Sequence, residues 1–120
     1  MNEIVTRYLA TWNASDATTR DELLEQYWAP ECVYVDPLAE VAGRAAVGAT
    51  IAAVQGQFPD FVFSQVGAVD AHHGQLRFQW GLGPADAEPV VIGFDVVVLD
   101  AEQRIQDVSG FLDKVPAGAA

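Results

Sequence analysis

The chain has 120 residues, a length that suits one domain with a real core, and 51% of them are hydrophobic, which excludes a disordered polymer. Its 6 Lys+Arg against 17 Asp+Glu give a net charge of −11, a surface that repels phosphate backbones and anionic membranes. No apolar run approaches the roughly 18 residues that a membrane span requires.

Residues 2–13 place Ile4, Val5, Tyr8, Leu9 and Trp12 on one side of a predicted helix. The polar segment Asn13-Ala-Ser-Asp16 breaks it. A second helix is expected to start near Thr18 or Thr19, because Thr19 and Glu22 have capping-box spacing; Pro30 is expected to end it. The run from Cys32 to Asp36 reads as a short strand closed by Pro37, and 38–43 as a loop. Val47, Ile51, Val54 and Phe58 recur at helical spacing over 44–58. The remainder reads as four strands, 61–69, 75–82, 90–99 and 104–112, joined by turn-rich segments. This order predicts α+β architecture in one domain over 1–115, with 116–120 as a flexible tail.

The N-terminus lacks the apolar stretch of a secretory signal, so a cytoplasmic location is the expectation. Cys32 is the single cysteine and reads as a small core residue, which leaves neither an intrachain disulfide nor a cysteine metal cluster. His72 and His73 are adjacent in a predicted turn and read as solvent-exposed. Metal-ligand histidine spacings and phosphate-cradling glycine loops are missing, so no metal and no cofactor are expected.

Three polar residues stand on faces that should be apolar. In the strand 91–99, alternation groups Asp95 with Val91, Gly93, Val97 and Leu99, while Ile92, Phe94, Val96 and Val98 fill the other face. A charge there is costly, so Asp95 must be paired, hydrogen-bonded or neutral. Asp36 points to the same side as Tyr34 at the end of its strand, a position that an Asp-Pro turn also explains. Tyr8 lies on the apolar face of the first helix. The strand 90–99 is apolar on both faces, so one side should meet the helices and the other a second subunit.

The order of two helices, an Asp36-Pro37 strand end, a Gly43-Arg44 helix start and long strands carrying Gly93-Phe-Asp95 resembles the nuclear transport factor 2-like superfamily. Within it, the nearest functional resemblance is to ketosteroid isomerase and polyketide-cyclase-like proteins. The resemblance implies a cone of curved, mostly antiparallel sheet closed by three helices around an apolar pocket. It also implies roles: Asp36 as general base, with Tyr8 and a protonated Asp95 as the oxyanion hole, a known logic for this isomerase. The expected pocket wall is Trp12, Trp28, Ile51, Phe78, Trp80 and Val97, with Trp28 and Ile51 near the places of the isomerase's supporting tyrosines.

On this reading the protein is a cofactor-independent enzyme that moves a proton on a small apolar carbonyl compound, as a homodimer formed through the sheet. Polyketide cyclase, dehydratase and epoxide hydrolase activities stay open, as does non-catalytic binding of a small hydrophobic ligand. Epoxide hydrolysis needs an Asp-Arg-Asp set, and Arg77 is predicted to face away from Phe78 and Trp80.

Overall fold

Three helices, α1 (Asn2–Asn13), α2 (Ala17–Tyr27) and α3 (Arg44–Gln57), pack on one six-stranded sheet in the computed structural model, which describes residues 2–116. The strands are β1 (Trp28–Asp36), β2 (Ala39–Ala42), β3 (Phe61–His72), β4 (Gln75–Pro84), β5 (Val91–Leu99) and β6 (Ile105–Lys114), in spatial order β2-β1-β6-β5-β4-β3. All neighbours are antiparallel except β1 and β6. The architecture is the expected α+β fold with a curved, mostly antiparallel sheet.

Helix α1 buries Ile4, Val5, Tyr8, Leu9 and Trp12, the stripe read from the sequence. Helix α2 begins earlier than expected. Asp16 is its N-cap, accepting from the Thr19 backbone N–H and hydroxyl at 2.9 Å each, so the acid takes the place assigned to the Thr19–Glu22 box. Arg20 is buried nearby and donates to Ala14 O (3.1 Å) and Gln55 Oε1 (2.9 Å), tying the end of α1 to α3.

The helix stops at Tyr27, before Pro30, and β1 starts at once. Pairing with β6 is interrupted between Trp28 and Val33, and Pro30, which has no N–H to give, falls in that gap. The segment expected to be a loop contains β2. A tight turn at Pro37-Leu38 folds it back, pairing Asp36 with Ala39. Arg44 explains the Gly-Arg helix start: its guanidinium donates to Trp28 O (2.6 and 3.0 Å) and Glu25 O (2.9 Å), closing the carbonyl end of α2.

The inner sheet face carries Leu76, Phe78 and Leu82 of β4 and Val91, Asp95, Val97 and Leu99 of β5, as alternation predicted. Arg77 lies on the outer face, paired with Asp70 at 3.2 Å. Cys32 is fully buried, and burial pushes its thiol up. His72 and His73 are exposed at the β3–β4 turn. No helix among the described residues is long and apolar enough to cross a membrane. Of the segment expected to be a tail, 117–120 lie outside the described residues. Pro116 is described, and together with Val115 it lines the cavity discussed next.

Candidate active site

Helices α1 and α3 and the inner sheet face surround a cavity of about 220 Å³, lined mostly by aromatic and aliphatic side chains. Tyr8, Asp36 and Asp95 all line it, as do Trp12, Tyr34 and Trp80. Leu38, 81% exposed, and Val115 also line it.

Strand register brings the two acids together. Asp95 of β5 is opposite Gly110 of β6. On the other side of β6, Val35 is level with Ser109, so Asp36 comes level with Gly110 one step further along. A Cβ on Gly110 would lie 2.8 Å from Asp95 Oδ1 and 3.3 Å from Asp36 Cβ. The missing side chain therefore leaves room for the Asp95 carboxyl and the Asp36 methylene beside the same backbone position.

Asp95 is 1% exposed and accepts a 2.5 Å hydrogen bond at Oδ2 from the Tyr8 hydroxyl. Burial is the main influence on this carboxyl and pushes its pKa up to about 6. The Tyr8 hydroxyl and the Trp80 indole pull against that, and the charge of Asp36 adds to it. Burial raises the Tyr8 phenol well above its usual value, and the Asp95 charge raises it further.

Ring packing fixes Tyr8. Trp28 stacks beneath it at 5.5 Å between centroids, and Phe78 meets it edge-on at 5.3 Å. Phe78 is opposite Asp95 on the neighbouring strand, so the ring that packs on the phenol also sets where its hydroxyl ends. Trp80 covers Gly93, its cross-strand partner, where any side chain would collide with the indole ring.

Asp36 has a divided role. Its Oδ1 accepts the Leu38 and Ala39 backbone N–H groups at 2.8 Å each, closing the turn into β2. Its Oδ2 accepts from the Tyr34 hydroxyl at 2.6 Å. Of roughly four lone-pair positions on a carboxylate, three are filled, and the remaining one is on Oδ2. Burial raises the Tyr34 phenol, and the Asp95 charge adds to that effect.

The family model for the SnoaL-like domain matches residues 5–108. The chain belongs to the SnoaL-like family. An Agrobacterium tumefaciens protein proposed as an isomerase of that family is 41% identical, with a TM-score of 0.89 over 93% of this chain and 96% of that one. Two more distant structures share the fold. A Kribbella flavida protein proposed as a ketosteroid isomerase is 14% identical (TM-score 0.69; 98% and 81% covered). A nuclear transport factor 2-like protein of unknown function from Exiguobacterium is 22% identical (TM-score 0.72; 92% and 98% covered). No curated protein matches the chain. The SnoaL-like domain belongs to the nuclear transport factor 2-like superfamily.

In this SnoaL-like cavity, two of the six expected wall residues, Trp12 and Trp80, are in the lining. Trp28, Ile51, Phe78 and Val97 are not: they are buried below it as core. Trp28 supports Tyr8 by stacking, and its indole N–H is turned away to Thr11 Oγ1 at 3.2 Å. The Tyr8 hydroxyl, expected in the oxyanion hole, donates to Asp95. Tyr34 was missing from the expected site. Its signal was the two-residue step to Asp36, which puts both side chains on one strand face.

Proposed function

We propose that this cavity performs cofactor-independent proton transfer on a compact, apolar carbonyl compound. The observation that carries the reading is the convergence of Asp36 and Asp95 on Gly110, with Asp95 bonded to Tyr8, inside an aromatic cavity. Asp36, through the open position on Oδ2, takes a proton from the carbon next to the carbonyl. The electron pair moves onto the carbonyl oxygen. Protonated Asp95 donates a hydrogen bond to that oxygen from Oδ1, while Oδ2 keeps its bond from Tyr8. Asp36 then returns the proton to another carbon of the conjugated system, and the carbonyl re-forms.

The raised pKa of Asp95 supports its part, because an acid titrating near 6 is available for donation close to neutral pH. An apolar ligand that displaces water pushes the value further up. The volume, below the roughly 300–1,000 Å³ of drug-sized sites, favours a one- or two-ring ligand over a larger one.

The test is conversion of a β,γ-unsaturated cyclic ketone to its conjugated isomer, followed by ultraviolet absorbance. Wild type should accelerate it and Asp36→Asn should not, while both bind the ketone. Equal rates in the two proteins remove Asp36 as the base. A second reading, a non-catalytic carrier of small hydrophobic ligands, is favoured by one observation: both carboxylates hold hydrogen bonds from protein hydroxyls. Ketone binding without turnover would establish it.

A further inference from the structure

Trp12 has a buried indole nitrogen, Nε1, with no hydrogen-bond partner among the described residues. Buried polar groups are nearly always paired, so an unpaired one calls for a physical reason. Trp12 lies one helical turn after Tyr8 on the same face of α1, with ring centroids 6.4 Å apart. It also packs on Tyr34 (5.5 Å) and Phe63 (5.2 Å), and Gln55 Nε2 donates to its backbone carbonyl at 2.8 Å. The ring is thus fixed on several sides while its donor is unused.

Tyr8 has the complementary vacancy. Its one proton goes to Asp95, so its oxygen keeps lone pairs with no donor on them. Trp12 pulls the Tyr8 phenol down, against the burial and the Asp95 charge that raise it. We infer that Trp12 is a positioning residue, whose indole N–H closes onto the Tyr8 oxygen when charge builds on the Tyr8–Asp95 pair and thereby sets how firmly that pair holds its proton. The inference rests on the proton-transfer reading for its effect on rate, but not for the contact itself.

A hydrogen bond made equally in the resting and reacting states accelerates nothing, whereas one that tightens only as charge develops does. Donors of that kind are commonly long or poorly aligned in the ligand-free protein. Once Asp95 has given its hydrogen bond to the ligand oxygen, its carboxylate draws harder on the Tyr8 hydroxyl. The Tyr8 oxygen then becomes a better acceptor for Trp12. The titratable groups around the Trp12 indole are Tyr8 from α1, Tyr34 and Asp36 from β1, and Asp95 from β5. The Trp80 indole faces it from β4.

Heteronuclear NMR of the indole N–H groups tests the contact in the ligand-free protein. As pH rises through about 6, where Asp95 ionises, the Trp12 resonance should move downfield, and Asp95→Asn should abolish the movement. Trp28, whose N–H is already bonded to Thr11, is the internal control. A Trp12 resonance that stays flat across this range, or that moves identically in Asp95→Asn, overturns the inference.

The variant Trp12→Phe keeps a ring and removes the donor. With β-tetralone, whose acidic C–H groups exchange with solvent deuterium, it should lower kcat about tenfold at little change in KM. It should also move the Asp95 limb of the pH profile upward, since Tyr8 then donates less strongly. A raised KM with an unmoved limb would mean packing alone and would overturn the inference. If Trp12→Phe fails to fold, the wild-type titration still decides. If wild type exchanges no β-tetralone although the Trp12 resonance follows Asp95, the contact stands and the catalytic reading falls.

Discussion

Tyr8 and Asp95, 87 residues apart in the chain, share a 2.5 Å hydrogen bond inside an aromatic cavity. One end of that bond is fixed by stacking on Trp28 and the other by the register of β5 between β4 and β6. An acid here destabilises the fold when it is charged and is useful for the same reason. Its burial keeps a proton available at pH values where an exposed aspartate has lost it.

The first consequence concerns stability. The folded-state pKa of Asp95 is raised from 3.8 to about 6, above that of the unfolded chain. The protonated form therefore favours folding, and that contribution is lost as pH rises through about 6. The shift corresponds to on the order of 3 kcal/mol at most. Asp95→Asn is neutral at every pH and should be more stable than wild type at pH ~8, with little difference near pH ~4. Urea unfolding of both proteins at the two pH values checks this. A wild type that is the more stable at high pH contradicts it.

The second concerns rate. With Asp95 acting in its protonated form, kcat/KM should fall as pH rises through about 6, because that ratio reports the free protein. Tyr8→Phe removes the donor that holds this pKa down, so the falling limb should move to higher pH. A pH–rate profile of each variant decides it; a rate that climbs through this range would make Asp95 a base.

Gly110 supplies the third. Alanine there puts a methyl group 2.8 Å from Asp95 Oδ1, which is tied to Tyr8 through its other oxygen and cannot swing freely. Gly110→Ala should cost about 1–3 kcal/mol and reduce turnover far more than it reduces the folded fraction. Thermal unfolding alongside the rate measurement separates the two effects.

Much of this was legible in the sequence. Alternation along 91–99 gave the inward face that carries Asp95, and helical spacing gave the face that carries Tyr8 and Trp12. What was not legible depends on contacts between distant segments. The parallel pairing of β1 with β6 sets Asp36 beside Gly110, and nothing local in Tyr34-Val-Asp36 encodes it. Trp28, Ile51, Phe78 and Val97 share inward faces with the lining residues, but periodicity gives a direction and not a depth, so core and cavity wall looked alike. The Thr19 box lost to Asp16 because an aspartate three residues before the helix's free N–H caps it equally well in sequence terms.

The outer sheet face gives a fourth prediction. Phe111 is 58% exposed and opposite Phe94, with Val96 and Val98 half-buried nearby. We propose this face as the surface of the homodimer expected from the sequence. Phe111→Lys should then sediment as a monomer where wild type sediments as a dimer. A monomeric wild type would remove the dimer.

The central claim is that Asp36 removes a proton next to a carbonyl, and incorporation of deuterium from solvent into β-tetralone tests it most directly. The account predicts exchange well above the buffer rate with wild type. It predicts exchange at the buffer rate with Asp36→Asn, whose side-chain oxygen can still close the Leu38–Ala39 turn. Exchange by wild type no faster than buffer, or equally fast exchange by the variant, would contradict it.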